Sequence, residues 1–165
     1  MSGRLKQEIK QGKPFPTLEV EAVLNIARTA DVLHRSGAEL LKSADVSPAQ
    51  YNVLRILKGA GDEGMACGEI GERMIQHDPD ITRMLDRMEE RGWVARARSA
   101  KDRRVVTARI TDKGARLATQ MEQPLLELHR RQLGKLSEKD VRTLIELLES
   151  VRAEAEGLEQ AETEK

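Results

Sequence analysis

The stretch KDRRVVTARITDKG, residues 101–114, decides the fold. It opens with three cations around one carboxylate, becomes β-branched, and reaches a Thr two residues before Lys-Gly. β-Branched residues suit a pleated strand, and a Thr hydroxyl suits the start of a helix. The stretch therefore predicts the returning strand of a hairpin over 105–110, and a helix capped at once by Thr111. Residues 93–97 favour the outgoing strand, and 98–104 form a polar, cationic loop between the two.

Working outward, two helices stand directly before the hairpin. The first, 67–74, turns Ile70 and Met74 inward, and a short turn follows at Ile75-Gln76-His77. The second starts with Asp78 as N-cap and Pro79 at its first position, runs to Arg91 and stops at Gly92. A helix pair with so tight a turn is a helix-turn-helix candidate, and the hairpin behind it reads as a wing. Residues 18–42 repeat apolar positions with the helical period at Val20, Val23, Leu24, Ala27, Ala30 and Leu33. Ser47-Pro48-Ala49-Gln50 is a capping-box start for a helix reaching about Lys58, and 59–64 is a loop. Thr111 begins a helix to about Leu133 with Leu117, Met121, Leu125 and Leu128 inside and a kink expected at Pro124. Ser137 starts a last helix carrying Leu144, Leu147, Leu148, Val151 and Leu158.

Composition agrees with this mainly helical reading. Phe15, Tyr51 and Trp93 are the only aromatics in 165 residues, while 39% apolar content is enough for a core. The single Cys67 excludes an internal disulfide and makes a reducing cytoplasm the default location. No apolar run is long enough to span a membrane, and residues 1–11 lack a signal-peptide pattern. Three scattered histidines give no metal site. No Gly-rich phosphate loop, Ser-His-Asp set or apolar pair of carboxylates points to an enzyme or a cofactor. The neutral total charge hides an asymmetry: residues 91–116 hold nine cations against two anions, and 138–165 hold nine anions against four cations. A local cationic patch on a neutral chain suits a polyanion meeting one face.

The second helix of the pair has the division that base reading needs. Ile81, Met84, Leu85 and Met88 share one face, with Thr82, Arg83, Asp86, Arg87 and Glu90 on the other. Arg bonds guanine bidentately and a Thr methyl touches thymine. In the wing, Arg98, Lys101, Arg103 and Arg104 suit a minor groove or phosphate backbone. Asp102 is expected to pair with Arg104 and fix the loop.

These residues resemble the MarR family of bacterial transcription regulators. Asp102-Arg103-Arg104, five residues, then Ile110-Thr111-Asp112-Lys113-Gly114 is similar to that family's wing signature, D-x-R, five residues, L-T-x-x-G, with Ile110 in place of Leu. Ser47 to Tyr51 with Val53-Leu54, and Ile81-Thr82-Arg83 through Glu89 to Gly92-Trp93-Val94, resemble its second helix, recognition helix and turn into the wing. Ala66-Cys67-Gly68 departs from it, since the family often has a hydroxyl cap there. The resemblance implies a mainly α protein with a small β-hairpin wing, a homodimeric winged helix-turn-helix whose first and last helices interleave. Its parts would be an N-terminal arm at 1–16, a dimerisation helix at 17–44, the DNA-binding domain at 45–114, C-terminal dimerisation helices at 115–158 and a disordered acidic tail at 159–165. By position, Asp80, Thr82, Arg83 and Arg87 are the candidates for the major groove of double-stranded DNA.

The family also implies an effector, often a small aromatic acid or an oxidant. His34 and Arg35, in the first long helix, are candidates to hold an anionic ligand; the alternative is a solvated helix face. Cys67, near a helix start, is the candidate for redox sensing; the alternative is a small packed thiol. A repressor is the expected mode, because a dimer over a promoter blocks polymerase by occupancy. The competing class is a winged-helix adaptor for proteins, against which four wing cations argue.

Overall fold

In the N-terminal part of the chain, helices pack on one small antiparallel sheet. The computed structural model describes residues 4–76, 80–98 and 105–163, the last six by backbone alone. The order is α1 (Arg4–Glu8), α2 (Leu18–Lys42), α3 (Pro48–Ala60), a 3-10 turn, β1 (Met65–Ala66), α4 (Cys67–Glu72), α5 (Ile81–Glu90), β2 (Val94–Arg98), β3 (Val106–Ile110), α6 (Asp112–Leu133) and α7 (Glu138–Thr163). Two compact units divide the chain at Leu125 and Leu126.

In the first unit, the capping box of α3 is complete. The Gln50 amide donates to Ser47 Oγ at 3.1 Å, and the Ser47 amide donates to Gln50 Oε1 at 3.0 Å. That start fixes which side of α3 turns inward. Val53, Leu54 and Leu57 lose all exposure, and they share the core with Ile70 of α4, Leu85 and Met88 of α5, and Ala108 of β3. This is the core of a winged helix-turn-helix. α5 then continues through Trp93, itself buried, into the two wing strands. β2 and β3 pair antiparallel from Val94 opposite Ile110 to Arg98 opposite Val106.

The sheet holds a third strand that the two-stranded expectation omitted. β1 pairs with β3, Met65 opposite Ala108, giving the order β1-β3-β2. Gly64 makes the approach possible: at φ 72° it lies so near β3 that a Cβ there would sit 2.4 Å from the Ala108 carbonyl oxygen.

Four other expectations change. The arm at 1–16 contains α1, because Leu5 is buried and Glu8 bonds Arg4 at 3.0 Å and lies 4.0 Å from Arg28 of α2. The helix expected from Asp78 begins at Ile81, since Asp80 at φ −118° and ψ 41° is not helical. Asp78, Pro79 and His77 lie outside the described residues. α4 ends at Glu72 because the Arg73 and Met74 amides bond back to Ile70 and Gly71, closing a tightened last turn. The backbone of α7 runs to Thr163, into the tail expected to be disordered. Ala, Glu and Gln there are good helix formers, and no Pro interrupts them.

In the second unit, Asp140 and Ser137 cap α7: the Asp140 amide donates to Ser137 Oγ at 3.2 Å, and the Ser137 amide donates to Asp140 Oδ2 at 3.2 Å. No residue of α7 with a described side chain is buried. Leu144, Ile145, Leu147 and Val151 are exposed on it, as Leu18, Val23, Ile26 and Val32 are on α2.

Candidate nucleic-acid interface

The apolar positions of α5 decide what its other side presents. Met84, Leu85 and Met88 are buried, so Thr82, Arg83, Asp86, Arg87 and Glu90 point to solvent. Arg83 keeps 69% of its side-chain surface and lies 3.8 Å from Asp80 Oδ2. Asp80, Arg83 and Arg87 come together in a cleft of about 240 Å3, closed on its other side by Ser47, Ala49 and Gln50 at the start of α3. Thr82 does not line that cleft. The cleft thus joins two guanidinium groups to a helix start, a combination suited to phosphate oxygens.

Arg98 ends β2 on the solvent side, opposite Val106. Lys101, Asp102, Arg103 and Arg104 lie outside the described residues.

The cationic patch needs a correction, because several of its members are engaged within the protein. Arg91 pairs with the Asp45 carboxylate, donates to the Asp45 carbonyl at 2.8 Å, and stacks its guanidinium 3.9 Å from the Trp93 ring centroid. Arg96 bonds Asp86 at 2.5 Å and Glu89 at 2.8 Å. Arg109 donates to the Glu63 carbonyl at 3.2 Å, and Lys113 to the Arg91 carbonyl at 2.7 Å. Three carboxylates from outside residues 91–116 therefore meet two of its cations. The sequence count missed them because charge pairing depends on tertiary proximity. The one local signal was Asp86 and Glu89, three apart on one helix, ahead of an Arg on the adjacent strand.

Arg91, Trp93 and Thr111 form the joint beneath the wing. The Thr111 hydroxyl donates to the Gly92 carbonyl at 2.7 Å and accepts the Gly114 amide at 3.1 Å, capping α6 as expected. Gly114 is packed so closely that a Cβ would lie 2.2 Å from the Trp93 carbonyl oxygen. The Gly in Thr111-Asp112-Lys113-Gly114 therefore serves close approach of α6 to the turn between α5 and β2.

The two sensing candidates fare differently. His34 lines a pocket of about 140 Å3 with Pro48, Ala49, Asn52, Met74, Ile75 and Gln76. Arg35 does not line it; its Nη2 is 3.0 Å from Asp31 on its own helix. Cys67 is half-buried, and burial pushes its thiol up, with nearby Arg96 opposing. A raised thiol is less reactive, which favours the small packed thiol over the redox candidate.

The model of the MarR family matches residues 46–106. A MarR transcription factor of known crystal structure from Planctomyces limnophilus is 40% identical, with a TM-score of 0.64 over 82% of this chain and 98% of that one. The HTH-type transcriptional repressor MdtR of Bacillus subtilis is 40% identical over 76 residues, 46% of this chain and 48% of MdtR. The chain thus aligns with about half the length of that curated relative. The multiple antibiotic resistance protein MarR of Salmonella typhimurium is 30% identical over 112 residues, 67% of this chain and 76% of that protein.

Proposed function

The chain belongs to the MarR family of transcription regulators, and on that premise we propose that it binds double-stranded DNA as a homodimer and represses transcription. The observation that carries this is α5: an apolar side buried in the core, and Arg83 and Arg87 on the open side beside Asp80 and the start of α3. Each protomer sets one such helix in a major groove, and two half-sites about one helical turn apart make the operator a pseudo-palindrome. Asp80, Thr82, Arg83 and Arg87 face the major groove, with Thr82, Arg83 and Arg87 reaching base edges and phosphates and Asp80 steadying Arg83, and Arg98 with Lys101, Arg103 and Arg104 places the wing on the flanking groove. Asp102 orients the wing tip. Residues 45–114 are the DNA-binding module; 17–44 and 115–158 hold the dimer through the exposed apolar side chains of α2 and α7, since patches of that kind mark partner surfaces. The protein acts in the cytoplasm, without a cofactor, by occupying the promoter.

The effector reading rests on the pocket beside His34. At about 140 Å3 it is smaller than the roughly 300–1,000 Å3 of drug-sized sites, which suits a small ligand, and His34 with Asn52 and Gln76 gives it polar groups for an anion. Arg35 joins it only by leaving Asp31. The redox reading through Cys67 is disfavoured by its raised thiol.

Fluorescence anisotropy of labelled DNA from upstream of the protein's own gene, against scrambled DNA over a salt series, tests the proposal. Binding that prefers the upstream fragment and falls steeply with salt is expected. Equal, weak binding of both at low salt would put the adaptor reading in its place.

A further inference from the structure

Among the described residues, Arg96 donates four hydrogen bonds, and all end on the recognition helix. β2 is an edge strand, so one row of its amides faces away from the ladder. The Arg96 amide donates to Glu89 Oε1 at 2.8 Å. Its guanidinium donates to Glu89 Oε2 through Nε at 3.0 Å and Nη2 at 2.8 Å, and to Asp86 Oδ1 through Nη2 at 2.5 Å. Both oxygens of Glu89 are thereby taken by one residue of the wing. The Arg96 side chain retains 19% of its surface, against 69% for Arg83, so its charge is turned towards the protein rather than towards a groove. Asp86 shares the open side of α5 with Arg83 and Arg87, where an uncompensated carboxylate would repel phosphate.

We propose that Arg96 is a positioning residue for DNA binding: it ties wing strand β2 to α5 through Asp86 and Glu89, and offsets the Asp86 charge, without touching DNA. The inference rests on the DNA-binding reading above. A helix in one groove and a wing on the next present a single surface only when their spacing is fixed, and losses of about 1 Å in such placement are felt in function. Arg supplies that fixing because its planar fork holds two carboxylates at once; Lys carries the charge without the fork.

The test uses the full chain and the upstream duplex. Wild type must bind for the inference to be at issue; if it does not, the DNA-binding reading itself has failed. With wild type bound, Arg96→Met is expected to weaken binding about tenfold, and Arg96→Lys by several-fold, with the salt slope unchanged because no phosphate contact is removed. In an Asp86→Asn, Glu89→Gln background, Arg96→Met is expected to cost little more, since the pair it holds is already gone. Two results would overturn the inference. One is wild-type affinity in Arg96→Met. The other is a loss that adds fully in the double background with the slope reduced by about one, which would make Arg96 a direct phosphate contact. Circular dichroism melts accompany each variant; if Arg96→Met does not fold, Arg96→Lys and Glu89→Gln carry the same comparison.

Discussion

Leu54 and Leu147 are both leucines on helices, yet the first has no exposed surface and the second keeps 60% of its own. The difference separates two regions. Around Leu54, α3, α4, α5 and the sheet bury one another's apolar sides within a single chain. Along α7, and over most of α2, apolar side chains keep between a third and four-fifths of their surface, from 37% at Leu24 and Leu144 to 81% at Leu18. The winged module thus buries its own core, while the long helices leave apolar side chains exposed, the surface that the proposed dimer would cover. That arrangement suits a DNA reader in which the reading unit is rigid and the spacing between two such units is set elsewhere.

The largest effect expected is on the complete region. Leu54→Ala leaves a cavity at a fully buried position and should lower stability by about 3 kcal/mol, read from urea unfolding. The same change at Leu147, measured on separated protomers, should do almost nothing. Equal costs at the two positions would break the comparison.

A charge on the open region comes next. Leu147→Asp with Val151→Asp should make the protein sediment as a single chain and weaken operator binding about a hundredfold, or 2.7 kcal/mol. A double variant that remains dimeric would remove α7 from the interface.

Within the reading unit, Arg83→Ala should weaken binding about tenfold and change base preference, since a bidentate contact discriminates by about 1–3 kcal/mol. Arg104→Ala should weaken all sequences alike and lower the salt slope by about one. Unchanged binding by the Arg104 variant at every salt concentration would sink the wing assignment.

A smaller effect concerns pH. The Arg96 amide, and then its guanidinium, holds the Glu89 carboxyl below the usual carboxylate range. A depressed folded value means that the contribution is whole above the ordinary carboxylate range and is lost as pH falls through the folded value. The stability difference between wild type and Glu89→Gln should therefore persist at neutral pH and vanish in strong acid. Because Glu89 is 39% exposed, that difference should stay within about 1 kcal/mol. The smallest effect is at Cys67: burial raises its thiol, so iodoacetamide should modify it more slowly than free cysteine at neutral pH.

What the sequence disclosed follows the range of the interactions. Ser47 with Gln50, Thr111 with Gly114, and the buried side of α5 were legible because caps and helical period are local. The two residues of β1 were not, because a strand so short has no alternation to read and depends on β3 for its pairing. α1 depends on the burial of Leu5 in a segment otherwise marked by Gly and Pro. In the site, the open-side placement of Arg83 and Arg87 was legible from periodicity, whereas Asp80 came from the resemblance and stands just before the helix. The engagement of Arg91 by Asp45 was not, because 46 residues separate the pair; that of Arg96 left only the weak local signal of Asp86 and Glu89 three apart on the preceding helix. His34 and Arg35 were joined by adjacency in sequence, but on a helix neighbours point apart, and only His34 reaches the pocket.

Dimethyl sulfate protection of the upstream duplex tests the central claim most directly, because it reads guanine N7 in the major groove. The account predicts two protected clusters about one helical turn apart, both lost in Arg83→Ala before overall binding is lost. Saturated binding with no protected guanine, or with one cluster per bound protein, would contradict a dimer that reads DNA through two copies of α5.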